Sequence, residues 1–186
     1  GSYAYVSGYT GTTACPNTAN YQSYQLFICQ NQLKFGSLPT IYVNSTCQGS
    51  GYGCSSQTAE TKGFIASINT STGTWTNVIE SGLDFNCEYN DEQIFQTMVV
   101  NDTDIFLMNK ATTTDIGESF QNYTVPSTIG KSSVIFRINA TNLVLEDHVT
   151  VGQTSSDLYY AQLTLIDNEQ IIYSVHSSGM IYVGTN

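Results

Sequence analysis

A stretch of twenty residues recurs in this chain, and no other feature narrows the fold as much. Gly63 to Gly82 (GFIASINTSTGTWTNVIESG) aligns with Ser133 to Gly152 (SVIFRINATNLVLEDHVTVG). Each copy has an apolar strand-like run, an I-N-x-[ST] turn, a second strand-like run and a terminal glycine. Self-similarity of this kind marks one supersecondary unit used more than once.

A candidate hairpin precedes each copy: Tyr24 to Cys29 with Thr40 to Asn44 in the first, and Ile94 to Val100 with Asp104 to Asn109 in the second. A third hairpin, Tyr160 to Ile166 with Ile171 to His176, is followed by Gly179 to Asn186, which matches the third strand of the pattern and its turn. Helical periodicity is nearly absent, and short apolar or alternating runs are separated by Asn, Asp, Gly, Ser and Thr. The 13 Tyr and 8 Phe, with abundant Thr, Val and Ile, suit half-buried pleated surfaces. The expectation is an all-β antiparallel meander of about twelve strands. Its three repeats span about 24–82, 93–152 and 160–186 of a single unit, 12–186. A two-sheet β-sandwich is the alternative.

The strand, Asn turn, strand and glycine pattern resembles a blade of an extracellular β-propeller. These repeats are longer than ordinary blades, the excess lying in Ser45 to Lys62 and Lys110 to Lys131. The resemblance implies four strands per repeat, and the third copy stops before its fourth. Residues 1–11 contain a strand-like run without a blade of its own, Ser2 to Gly11, carrying Tyr3, Tyr5, Val6 and Tyr9. Placed after Asn186 it would complete the last repeat, either within the chain or in a neighbouring copy. Propellers close with four or more blades, so three repeats favour donation to a neighbour. A head-to-tail contact that does not close grows into a filament.

Charge and processing signals bound the partners. Five Lys plus Arg against fifteen Asp plus Glu give a net charge of -10, and Lys34, Lys62, Lys110, Lys131 and Arg137 are scattered. Nucleic acid, which needs clustered cations, is thereby disfavoured. No apolar run reaches the roughly 20 residues needed to span a bilayer as a helix, so no membrane insertion is expected. The start at Gly1-Ser2 fits a processed secreted chain or a remnant of expression. Five N-x-[ST] acceptors, Asn44, Asn69, Asn101, Asn122 and Asn139, predict an extracellular or cell-surface protein carrying N-linked glycans. Five cysteines, Cys15, Cys29, Cys47, Cys54 and Cys87, are disulfide candidates without zinc-type spacing, and their pairing stays open.

Little in the sequence points to catalysis. His148 and His176 are isolated, no G-x-S-x-G elbow frames a serine, and neither a catalytic set nor a cofactor is expected. The acidic segment holding Asp84, Asn86, Glu88 and Asp91 offers oxygen ligands at calcium-like spacing. Tyr89 replaces the glycine that an EF-hand loop requires there, and a solvated linker is the plainer reading. The expected function is a structural subunit assembled from copies of itself by strand complementation. A secreted carbohydrate-binding or adhesion module, using its tyrosines as sugar platforms, is the alternative.

Overall fold

The computed structural model describes residues 2–11, 25–49, 56–59, 61–81, 98–111, 117, 119–127, 131–153, 158–166, 170–177 and 182–183. Among them there is no helix, and the protein is all-β. The chain divides into two compact units, Gly1–Glu80 and Ser81–Asn186.

The first unit holds β1 (Tyr3–Gly11), β2 (Gln25–Leu33), β3 (Ile41–Gly49), β4 (Ser56–Ala59), β5 (Thr61–Asn69) and β6 (Thr74–Ser81). They form two three-stranded sheets, β1-β5-β6 and β2-β3-β4. In β5, Phe64 and Ala66 alternate with Ile65 and Ser67, and Ile65, Ala66 and Ser67 are all buried. A strand covered on both faces reads as a continuous apolar run rather than as alternation, which explains the unbroken Gly63-Phe-Ile-Ala. On one face, Phe35, Ile41 and Val43 pack with Ala66, and Phe64, Trp75 and Val78 join them. Phe35 stacks edgewise on Trp75 at 4.9 Å between ring centroids and lies tilted on Phe64 at 5.3 Å. The Ser67 and Thr76 hydroxyls bond to each other at 2.9 Å, so neither is left unsatisfied.

The second unit holds β7 (Met98–Val100), β8 (Asp104–Ala111), β9 (Ser119–Phe120), β10 (Tyr123–Thr124), β11 (Lys131–Asn139), β12 (Leu145–Gln153), β13 (Leu158–Leu165), β14 (Ile171–Ser177) and β15 (Tyr182–Val183). Its main sheet runs β15-β12-β11-β8-β7, with β9-β10 and β13-β14 as separate hairpins. β11 is central and covered twice. Ile135 clusters with Met108, Val151 and Leu163, the last from β13. Phe136, on the opposite face, meets Phe120 and Tyr123 at 5.1 and 5.2 Å between ring centroids. Tyr173 of β14 donates a hydrogen bond to Ser133 Oγ of β11 (2.9 Å), tying the hairpin to the sheet through a buried serine.

The expected hairpins form, and the strands of the three copies are grouped differently into sheets. The second copy keeps its four strands, β7, β8, β11 and β12, adjacent in one sheet. The first copy divides between two sheets, with β1 and β6 flanking β5 and β2 and β4 flanking β3. In the third copy β13 pairs with β14 alone, and β15 leaves them to extend the main sheet beside β12. Neither a closed barrel nor a propeller ring is shown among the described residues.

Candidate functional site

The edge of β5 is where the expected assembly strand lies. β1 pairs with it antiparallel over nine positions without a break, from Tyr3↔Asn69 to Gly11↔Thr61. This differs from the expected place after the third repeat. The reason is complementarity: β5 would otherwise present a bare ladder edge, and β15 already occupies a strand position beside β12. Among the strand pairs in substantial contact, β1 is matched with β5 alone. Its start is pinned from across the turn, since both the Thr70 N–H and the Thr70 hydroxyl donate to the Ser2 carbonyl (3.0 Å each). Tyr3 and Val6 are largely exposed, at 47% and 41%. Tyr5 is part-buried, and burial, with the neighbouring Tyr3, raises its hydroxyl pKa above the ordinary 10.0. The side chain of Tyr9 lies outside the described residues, although its backbone pairs with Gly63.

Glycine governs how closely the two strands approach. Gly8 lies opposite Phe64. A Cβ on Gly8 would stand 2.9 Å from Cζ and 3.1 Å from Cε1 of the Phe64 ring. Phe64 therefore lies over the space that any other side chain at position 8 would fill.

Three of the five glycosylation acceptors sit in one local geometry. Asn69 Oδ1 accepts from the backbone N–H of Ser71 (2.9 Å) and Thr72 (3.1 Å). Asn101 Oδ1 does the same for Thr103 (2.9 Å) and Asp104 (2.7 Å), and Asn139 Oδ1 for Thr141 (2.9 Å) and Asn142 (3.3 Å). These are Asx turns, in which a short amide side chain satisfies turn donors. The two repeat copies match residue for residue. Gly73 N–H donates to Asn69 O at φ +66, and Leu143 N–H donates to Asn139 O at φ +57. Asn122 is exposed in the β9–β10 turn. Asn44 lies inside β3, exposed and opposite Gln30, whose Nε2 donates to its Oδ1 (3.0 Å), so it is not a turn residue.

Around the Asn139 turn, polar side chains lock the end of the main sheet. Gln121 uses both halves of its amide, donating from Nε2 to Leu143 O (2.8 Å) and accepting at Oε1 from Leu145 N–H (2.8 Å). Asp104, opposite Asn139 in the ladder, accepts from Arg137 Nε (2.9 Å) and from the Thr103 hydroxyl (2.7 Å). Arg137 also reaches Glu146 at 3.6 Å. Burial pushes the Asp104 carboxyl up, but Thr103, Arg137 and Asn101 together hold it below its ordinary value of 3.8. Asp104 pairs with charge rather than standing free, which is the signature of a structural carboxylate.

Among the described residues the remaining sequence candidates do not gather into a site. His148, opposite Phe136, sets its ring edge-on to Tyr123 at 4.6 Å. His176 pairs with Tyr159 in the β13–β14 ladder. The oxygen-ligand candidates Asp84, Asn86, Glu88 and Asp91 lie outside the described residues, as do Cys15, Cys54 and Cys87. Cys29 pairs with Ser45 and Cys47 with Phe27. The side chains of Cys29 and Cys47 lie outside the described residues. Among the described residues no cluster of three or more His, Cys, Asp or Glu could hold a metal ion.

These features define a class: an all-β protein of small antiparallel sheets whose first strand covers one edge of a repeated hairpin. No protein family, no curated protein and no solved structure matches this chain.

Proposed function

We propose that this chain is a structural subunit of an extracellular glycoprotein filament or cell-surface array, in which β1 of one copy pairs with β5 of the next. The observation that carries the reading is the single ladder of β1, at the edge of its sheet. It rests on one acceptor strand, and it connects to β2 only through residues 12–24. A strand whose ladder pairs it with a single partner can be exchanged between identical copies, because the bonds broken in one chain are remade in the other. Asparagine turns at Asn101, Asn122 and Asn139 supply glycan positions outside the β1–β5 ladder, and Asn69 supplies one at its end. The protein acts through assembly, without catalysis or cofactor.

Electron microscopy of native material, beside protein lacking residues 1–11, tests this. Subunit-to-subunit strand density that vanishes on deletion supports exchange; filaments that survive the deletion refute it. Tyr42, 45% exposed on β3, favours the second reading of a carbohydrate-binding or adhesion module. A sugar-dependent rise in thermal stability, abolished by Tyr42→Ala, would select that reading instead.

A further inference from the structure

We infer that the β5 edge is a sequence-selective strand acceptor keyed by Phe64, and that it takes only an extended segment presenting glycine opposite that ring. Nine antiparallel pairs alone do not fix a register, because backbone ladders are alike at every position. A slip by two residues would even preserve which side chains face which layer. Something must mark one register as the right one.

The Gly8–Phe64 pair does so. The ring of Phe64 stands within 2.9 Å of the position a Cβ would take on Gly8. It cannot easily swing away, because Phe35 lies against it at 5.3 Å and Trp75 in turn lies against Phe35. A two-residue slip would bring Val6 or Thr10 under the ring in place of Gly8, since these share its face of β1. Both are β-branched and fill the space that the ring already holds. An aromatic laid over a glycine on an edge strand gains contact area that no other residue there would permit. The pairing also explains why a glycine occupies a strand position where it would ordinarily weaken the strand.

The key operates in a single chain, and it reaches a second copy only through the exchange proposed above. Because of that, its test begins with isolated full-length protein. By strand propensity, Gly8→Val should strengthen β1; by the Phe64 contact it should weaken it. Hydrogen exchange of the β1 and β5 amides in Gly8→Val is expected to show protection lowered about tenfold or more, with cross-strand contacts such as Val6 to Ala66 lost. Ala4→Val, on the same face of β1, should leave protection equal to the parent chain. Adding Phe64→Leu to Gly8→Val should restore part of the loss. Protection in Gly8→Val equal to or above that of the parent chain, or matching Ala4→Val, overturns the inference. The reading of function fails separately: native assemblies that persist with Gly8→Val, while isolated copies lose the ladder, refute exchange and leave the key intact.

Discussion

Replacing Leu143 by glycine and by alanine should invert the usual order of the two residues. Leu143 adopts φ +57, a region that costs a residue with a Cβ about 1–2 kcal/mol. Its side chain is fully buried, at 0% exposure. Truncating a buried leucine to alanine costs about 2–5 kcal/mol, and alanine keeps the backbone penalty. Glycine loses the same contacts, gives up a further ~0.5–1 kcal/mol of chain entropy, and escapes the left-handed strain. Leu143→Ala should therefore be destabilised by about 2–5 kcal/mol, and Leu143→Gly should be equal to it or milder by up to about 1.5 kcal/mol. Urea unfolding followed by tyrosine near-UV circular dichroism, with hydrogen exchange at β11 and β12, measures both. Leu143→Ala more stable than Leu143→Gly would show that the positive φ carries no cost. Either variant within ~0.5 kcal/mol of the parent chain would show that burial does not hold the turn. The matched turn gives a control: at Gly73, φ +66, an added Cβ meets nothing within 4 Å. Gly73→Ala should cost only the backbone term, about 1 kcal/mol, read by the fluorescence of the single tryptophan, Trp75.

Gln121→Ala should destabilise the second unit by about 1–3 kcal/mol, the net worth of two hydrogen bonds; urea midpoints check this, and Gln121→Glu should lose only the donor to Leu143 O. Because the Asp104 carboxyl is held below its ordinary 3.8 when folded, its stabilisation is complete above that value. It drains away as pH falls through the folded pKa, and Asp104→Asn should flatten that acid limb in thermal melts. If the proposed function holds, Thr141→Ala should remove the Asn139 acceptor and one glycan mass with the fold unchanged, since the turn uses the Thr141 backbone N–H. Asn139→Gln should lose the glycan and also the side-chain cap, which is worth about 1 kcal/mol.

The hairpins were legible in the sequence because each is local. Alternating or apolar runs flank an Asn turn, and the repeat aligns Asn69 with Asn139 at one turn geometry. Which hairpins share a sheet was not legible, because it turns on contacts far apart in sequence. Nothing in Tyr24 to Cys29 says that its hairpin ends beside β4 rather than beside β5. β1 was recognisable as an orphan strand, but any open edge could have received it. The one available signal was glycine: Gly8 and Gly63 stand opposite the aromatics Phe64 and Tyr9 in the observed register and in no other. Leu143 carried no warning of its positive φ except its alignment with Gly73. Gln121, which clamps the turn through its side-chain amide, has no sequence mark at all. Asn44 was placed at a strand end by its motif, yet β3 runs on past it because Ser45 to Gln48 have β4 to pair with.

The pairing of β1 with β5 also sets a timetable. β1 is made well before its partner, which is complete only when Asn69 emerges, 58 residues after Gly11. At synthesis rates of about 5–20 residues per second, that is a delay of roughly 3–12 s. Strand pairs such as β11–β12, closed by a short turn, form within about 1–10 μs once both strands exist. β1 thus waits longer for its partner than any other paired strand among the described residues, and through those seconds its ladder is open to water or to another molecule.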